Sequence, residues 1–125
     1  MKYVYIICVL FWNITGILVA APEKAQVVEL LEGRHWSLGA EEFHSLGEGT
    51  DGLLIEISSD KSLFNYLRFR ALEALSLFPS ENTAVFLESA ANDSFAPLAR
   101  RGFEALRRGF FNVQPKRVKM LLPVC

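Results

Sequence analysis

Cysteine and histidine are scarce, with two of each in 125 residues. Cys8 lies in the apolar start of the chain and Cys125 is its last residue. If that start is removed, one thiol remains, and one thiol cannot staple a domain internally. His35 and His44 offer few ligands to a metal, so neither a metal centre nor a cofactor is expected. No Gly-x-Ser-x-Gly elbow occurs, and no histidine lies near Cys125 in sequence. Glycine-rich phosphate loops are missing too; Gly47-Glu48-Gly49 reads as a turn. Glu41-x-x-His44 has the spacing of a carboxylate–histidine metal pair, but that chemistry needs a second copy and further carboxylates. His44 is therefore expected on a helix surface. Together these gaps argue against an enzyme.

What the chain does have is apolar content, 51% hydrophobic and 12% aromatic. Its length leaves room for one domain and one core. Residues 1–20 concentrate the apolar content: Lys2 is followed by an uncharged run to Ala20-Ala21. A positive start, an apolar run and small residues at its end read as a secretory signal, cut near Ala20. The alternative is a retained membrane anchor, since about 18 apolar residues can just span a bilayer. No cysteine closes the run, so lipoprotein processing is not indicated. The protein is thus expected to be exported, to the cell envelope or beyond, or to be membrane-anchored.

Charge is unevenly divided. Residues 21–66 hold three basic and nine acidic groups, and residues 67–125 hold nine basic and five acidic. The halves therefore carry −6 and +4, an asymmetry that suits a partner surface or head-to-tail association and can also be incidental.

Helical periodicity runs through the rest. Pro22 to Gly33 reads as a short amphipathic helix with Val27, Val28, Leu30 and Leu31 inward; proline suits its first turn and glycine its stop. Arg34 to Leu38 is a break containing Trp36, expected to pack on the helices that follow. Gly39 to Leu46 is a weaker helix with Ala40, Phe43 and Leu46 on one side. Thr50 is placed to cap Asp51 to Ser58, where alternation is too poor for a strand and Leu53, Leu54 and Ile57 make a helical stripe. Leu63 to Phe78 is the strongest helix, capped by Asp60 or Ser62 and ended by Pro79. Leu63, Phe64, Leu67, Ala71, Ala74, Leu75 and Phe78 share one arc, while Phe69, Leu72 and Leu77 lie off it, so this helix needs neighbours on more than one side. Ser80 caps a helix through about Ala91, with Ala84, Val85, Leu87 and Ala91 inward. Asn92-Asp93-Ser94 turns the chain and fits a glycosylation triplet, relevant in a eukaryotic secretory route. Phe95 to Arg108 follows, with Gly102 in its apolar face to admit a close neighbour. After Gly109 to Gln114, Pro115 begins a last segment.

Two of these helices are near-copies. Leu67 to Leu75 returns as Leu98 to Leu106, an offset of 31, with five of nine residues identical. A period near thirty residues in helical sequence signals stacked helical hairpins. A weaker echo at offset 33 sets Phe111, Val118 and Met120 against Phe78, Val85 and Leu87. The expected fold is all-α: about two and a half hairpin repeats over residues 50–125, behind an N-terminal helical cap over residues 21–49.

The echo resembles the HEAT repeats of the short type known from bilin lyases. In that pattern a hydrophobic–Arg pair is followed by Ala and then Ala-Leu. Leu67-Arg68, Ala71 and Ala74-Leu75 fill every slot; in the second copy Ala99 stands in the arginine slot and Gly102 in the alanine slot. The resemblance covers roughly residues 50–122. It implies an α-solenoid and a scaffold that binds other proteins, and it implies no bilin chemistry, since no matching catalytic motif is present.

The expected contact face is basic. Arg100, Arg101, Arg107 and Arg108 share an arc of about 120° opposite the apolar stripe of their helix. Lys116, Arg117 and Lys119 follow. Glu104 sits within that arc and can pair with arginine at helical spacing, so a merely solvated face is the plain alternative. Arg68 and Arg70 join the set because the resemblance puts the matching helix on the concave side of the stack. The expected partner is a protein. Nucleic acid is not expected, for want of aromatic interleaving, and a membrane is expected only if the N-terminal segment is retained.

Overall fold

A computed structural model describes residues 22–120; the signal-or-anchor segment lies outside them. Every regular element there is helical: α1 (Lys24–Glu32), α2 (Ala40–His44), α3 (Thr50–Ser59), α4 (Asn65–Leu75), α5 (Glu81–Ala91), α6 (Ala96–Phe110) and α7 (Pro115–Lys119). No strand occurs among the described residues.

Consecutive helices pair: α3 with α4, and α5 with α6. The two pairs then meet side by side, α4 against α6 and α3 against α5. α1 lies on α3 and α4, α2 on α1, and α7 on α6. One hydrophobic cluster runs through all of them, from Val27, Leu31 and Phe43 through Leu54, Ile57, Leu72 and Leu75 to Leu87, Leu106 and Val118. The near-copies at offset 31 are thus two touching helices.

The helix ends follow local chemistry, in three places differently from expectation. Thr50 does not cap α3. Gly49, at φ +91°, takes that place, because only a residue without Cβ enters the left-handed region cheaply. Thr50 is buried as the first helical residue, and its hydroxyl donates to the Gly47 carbonyl at 2.8 Å. Nor does Asp60 or Ser62 cap α4, whose cap position is Phe64. The Asp60 carboxylate is already engaged, accepting from Ser62 N at 3.0 Å, from the Ser62 hydroxyl, and from Lys24 Nζ at 3.1 Å. α4 is regular only to Leu75; Leu77 and Phe78 continue in tight turns that bond three residues back, ahead of Pro79. Ser80 does cap α5, its Oγ accepting from Thr83 N at 3.3 Å. The inward face of α5 is Thr83, Ala84, Leu87 and Ala90. Val85 is 53% exposed, because two residues of α-helix turn it about 160° away from Leu87.

Gly102 does what its place in an apolar face implies. A methyl group there would stand 2.8 Å from Ala90 Cβ and 2.9 Å from Ala91 N. α5 and α6 therefore touch backbone to backbone, offsetting the roughly 1 kcal/mol that glycine costs in a helix interior.

Candidate functional site: an arginine-rich face on α6

The surface of α6 away from the core carries Arg100, Arg101, Arg107 and Arg108, all exposed. Each has a different situation. Arg107 clamps Glu104 one turn back, Nη2 to Oε2 at 2.8 Å and Nε to Oε2 at 3.2 Å. Arg108 reaches across to α4, Nη1 to Glu73 Oε1 at 3.0 Å. Arg101 lies over the Phe69 ring of α4, 5.3 Å from its centroid, a cation–π contact. Arg100 has no carboxylate partner among the described residues. Glu73, Arg100, Arg101, Glu104, Ala105 and Arg108 line a hollow of about 220 Å³ along the α4–α6 seam. Four arginines against two carboxylates leave this face cationic.

Arg68 and Arg70 lie elsewhere. Arg68 is buried on α4, its Nε donating to the Ser58 carbonyl at 3.0 Å and Nη1 to Asn65 Oδ1 at 3.3 Å. It thereby satisfies a carbonyl in the last turn of α3, where the helix dipole favours a cation. Arg70 does the same for α1, with Nη1 donating to the Leu31 and Gly33 carbonyls at 2.6 and 2.9 Å. Its guanidinium is also sandwiched between Trp36 at 5.4 Å and Tyr66 at 4.9 Å. Both arginines hold helices together, away from the arginine-rich face of α6. The wheel of α4 carried this signal: Arg68 and Arg70 fall at the two edges of the Leu67–Ala71–Ala74–Leu75 arc, where side chains meet neighbouring helices.

Trp36 packs on α4 as expected, its indole N–H donating to Glu73 Oε2 at 3.0 Å and its ring meeting Phe43 edge-on at 6.0 Å. Glu73 is therefore shared by Trp36 and Arg108, a role that periodicity alone does not announce. His44 is exposed, as expected; its Nε2 is 2.8 Å from the Leu77 carbonyl and its ring lies edge-on to Phe78. Since a carbonyl only accepts, that nitrogen is the donor. Glu41 is exposed on the same short helix. No group of three or more potential metal ligands occurs among the described residues.

The cations beyond α6 divide similarly. Arg117 bridges Glu81 and Glu88, binding α7 to α5, and this pairing holds the Glu81 carboxyl below its usual range. Lys116 and Lys119 are exposed. Beside α7, Val113, Pro115 and Met120, with Glu88, Lys116 and Arg117, line a hollow of about 600 Å³; Met120, expected to answer a buried leucine, is 84% exposed. Asn92, Asp93 and Ser94 form an exposed turn in which Asn92 Nδ2 donates to the Glu88 carbonyl at 2.9 Å.

Comparisons of the chain with protein-family models, with curated proteins and with solved structures each find no match. No helix among the described residues is long and apolar enough to cross a membrane.

Proposed function

We propose that this chain is an exported, non-catalytic module of short HEAT-like helical hairpins that works by binding a protein partner through the basic face of α6. One observation carries the reading: α6 holds four arginines against two reachable carboxylates, and Arg100 is unpaired among the described residues. A face kept only for solubility needs no surplus of one sign. The side-by-side packing of the near-copies supports the solenoid reading, because stacked repeats present one long surface made of equivalent helices.

The test is capture of the partner by the purified protein, compared with the Arg100→Glu/Arg101→Glu variant at low and physiological salt. Both residues are exposed, so the variant keeps its fold, as circular dichroism will check. The expected result is a loss of at least about tenfold in recovery, with wild-type recovery falling as salt rises. Equal recovery by both proteins would remove the basic face from the account.

A further inference from the structure

α4 and α6 correspond residue for residue at the offset of 31, and what α4 does with one line of side chains is informative about α6. On α4 and its C-cap, Phe69, Leu72, Glu73 and Ser76 recur at three- and four-residue spacing and form a single stripe. α6 sits on that stripe. Phe95 lies 6.2 Å from Phe69, with Arg101 over the same ring. Arg108 binds Glu73 at 3.0 Å. Gly109 approaches Ser76 so closely that a Cβ would be 2.9 Å from its carbonyl oxygen. Leu72, in the middle, is fully buried.

Thirty-one residues on, the same stripe reads Arg100, Phe103, Glu104 and Arg107. The main neighbours of α6 are α4, α5 and α7, and Arg100, Glu104 and Arg107 are exposed with Phe103 only half-buried. α3 is covered by α4 and α5 by α6.

We infer that the Arg100–Phe103–Glu104–Arg107 stripe docks an amphipathic helix of a partner protein that carries a carboxylate beside its apolar stripe. The inference rests on the interaction-module reading and names the partner's chemistry. Phe103 stands at the position of the fully buried Leu72. Glu104 keeps the place of Glu73, but Arg107 of the same helix already holds it. Arg100 and Arg107 replace the neutral Phe69 and Ser76; Arg107 is neutralised by Glu104, and Arg100, without a carboxylate partner among the described residues, attracts acid and repels base. A helix identical to α6 would bring an arginine onto Arg100; a glutamate at that point turns repulsion into a pair.

The probes are two peptides of the sequence Phe95–Phe111, stapled on the face opposite the contact so that they are helical, since short helices are marginal in water. One is unaltered and one carries Arg101→Glu. Titrated against the full chain by fluorescence anisotropy, the glutamate peptide is expected to bind about tenfold tighter than the unaltered one. Arg100→Glu in the protein is expected to reverse that order, and Phe103→Ala to weaken both peptides. An order unchanged by Arg100→Glu, no binding by either peptide at millimolar concentration, or indifference to Phe103→Ala overturns the inference. So does concentration-dependent self-association in sedimentation that Arg100→Glu abolishes, because the occupant is then a second copy. If the peptides fail while partner capture still depends on Arg100 and Arg101, only this inference falls; if both fail, the interaction reading falls with it.

Discussion

α4 and α6 share five of nine residues at the offset of 31, in unlike surroundings. α4 has helices on several sides: α3 and α1, and α6 on the stripe through Phe69 and Leu72. α6 has α5 against Gly102, α4 along one flank and α7 beyond, and its own copy of that stripe faces outward. The substitutions between the copies follow this difference. Ala71 gives way to Gly102 where a backbone comes close; Leu72 gives way to the half-buried Phe103. The buried Arg68 gives way to Ala99, and Phe69 and Ser76 to arginines. A shared pattern thus encodes a shared position in the hairpin, while the departures encode what lies next door.

The largest effect expected from breaking this comparison is at Leu72. Leu72→Ala should cost about 2–5 kcal/mol in urea unfolding, and Phe103→Ala about 2 kcal/mol at most, because only the first is fully enclosed. Equal costs would mean that the copies have equal surroundings. Gly102→Ala should destabilise by about 1–3 kcal/mol despite alanine's higher helix propensity, since the new methyl meets Ala90 and the Ala91 backbone at under 3 Å. A stabilised variant would show that α5 and α6 stand further apart.

Arg68→Ala should cost about 1–3 kcal/mol, by orphaning the Ser58 carbonyl, and leave partner capture intact. The pH dependence sharpens the same contrast at the turns. The Ser62 hydroxyl and N–H, and then Lys24, hold the Asp60 carboxyl down at about 2, against an ordinary 3.8. A depressed carboxyl lends stability that is complete above its unfolded value and lost as pH falls through the folded one. The thermal midpoint should therefore drop between pH 3.8 and about 2, with Asp60→Asn flattening that drop. The smallest effect is at Arg107. Its ion pair with Glu104 is half exposed, so Arg107→Ala should change stability by no more than about 0.5 kcal/mol.

Much of this molecule is readable from residue order alone. The helix over Leu53–Ile57, the central part of the one expected over Leu63–Phe78, the Ser80 cap and the close approach at Gly102 follow from periodicity, capping chemistry and the size of glycine; Phe64, expected on the inward arc, is the cap residue of α4 and is 74% exposed. Helix starts were less legible where loop residues had other partners: Asp60 serves Ser62 and Lys24, so α4 begins without a side-chain cap. Val85 and Met120 look like core residues by composition, yet the angular position of one and the open hollow beside the other leave them in solvent. At the candidate site, the arginines of α6 were visible as a face, while Glu73 was not, because its partners Trp36 and Arg108 come from distant points of the chain. Arg68 and Arg70 show that a charged residue at the edge of an apolar arc serves the neighbouring helix before it serves a partner.

The most direct test compares one slot in the two copies. Ser76→Cys and Arg107→Cys, each in a Cys8→Ser/Cys125→Ser background, place a thiol at equivalent points of α4 and α6. Thiol labelling under native conditions should be strongly retarded at position 76, beneath Gly109, and nearly as fast as in the unfolded chain at position 107. Similar rates at the two positions would contradict the account.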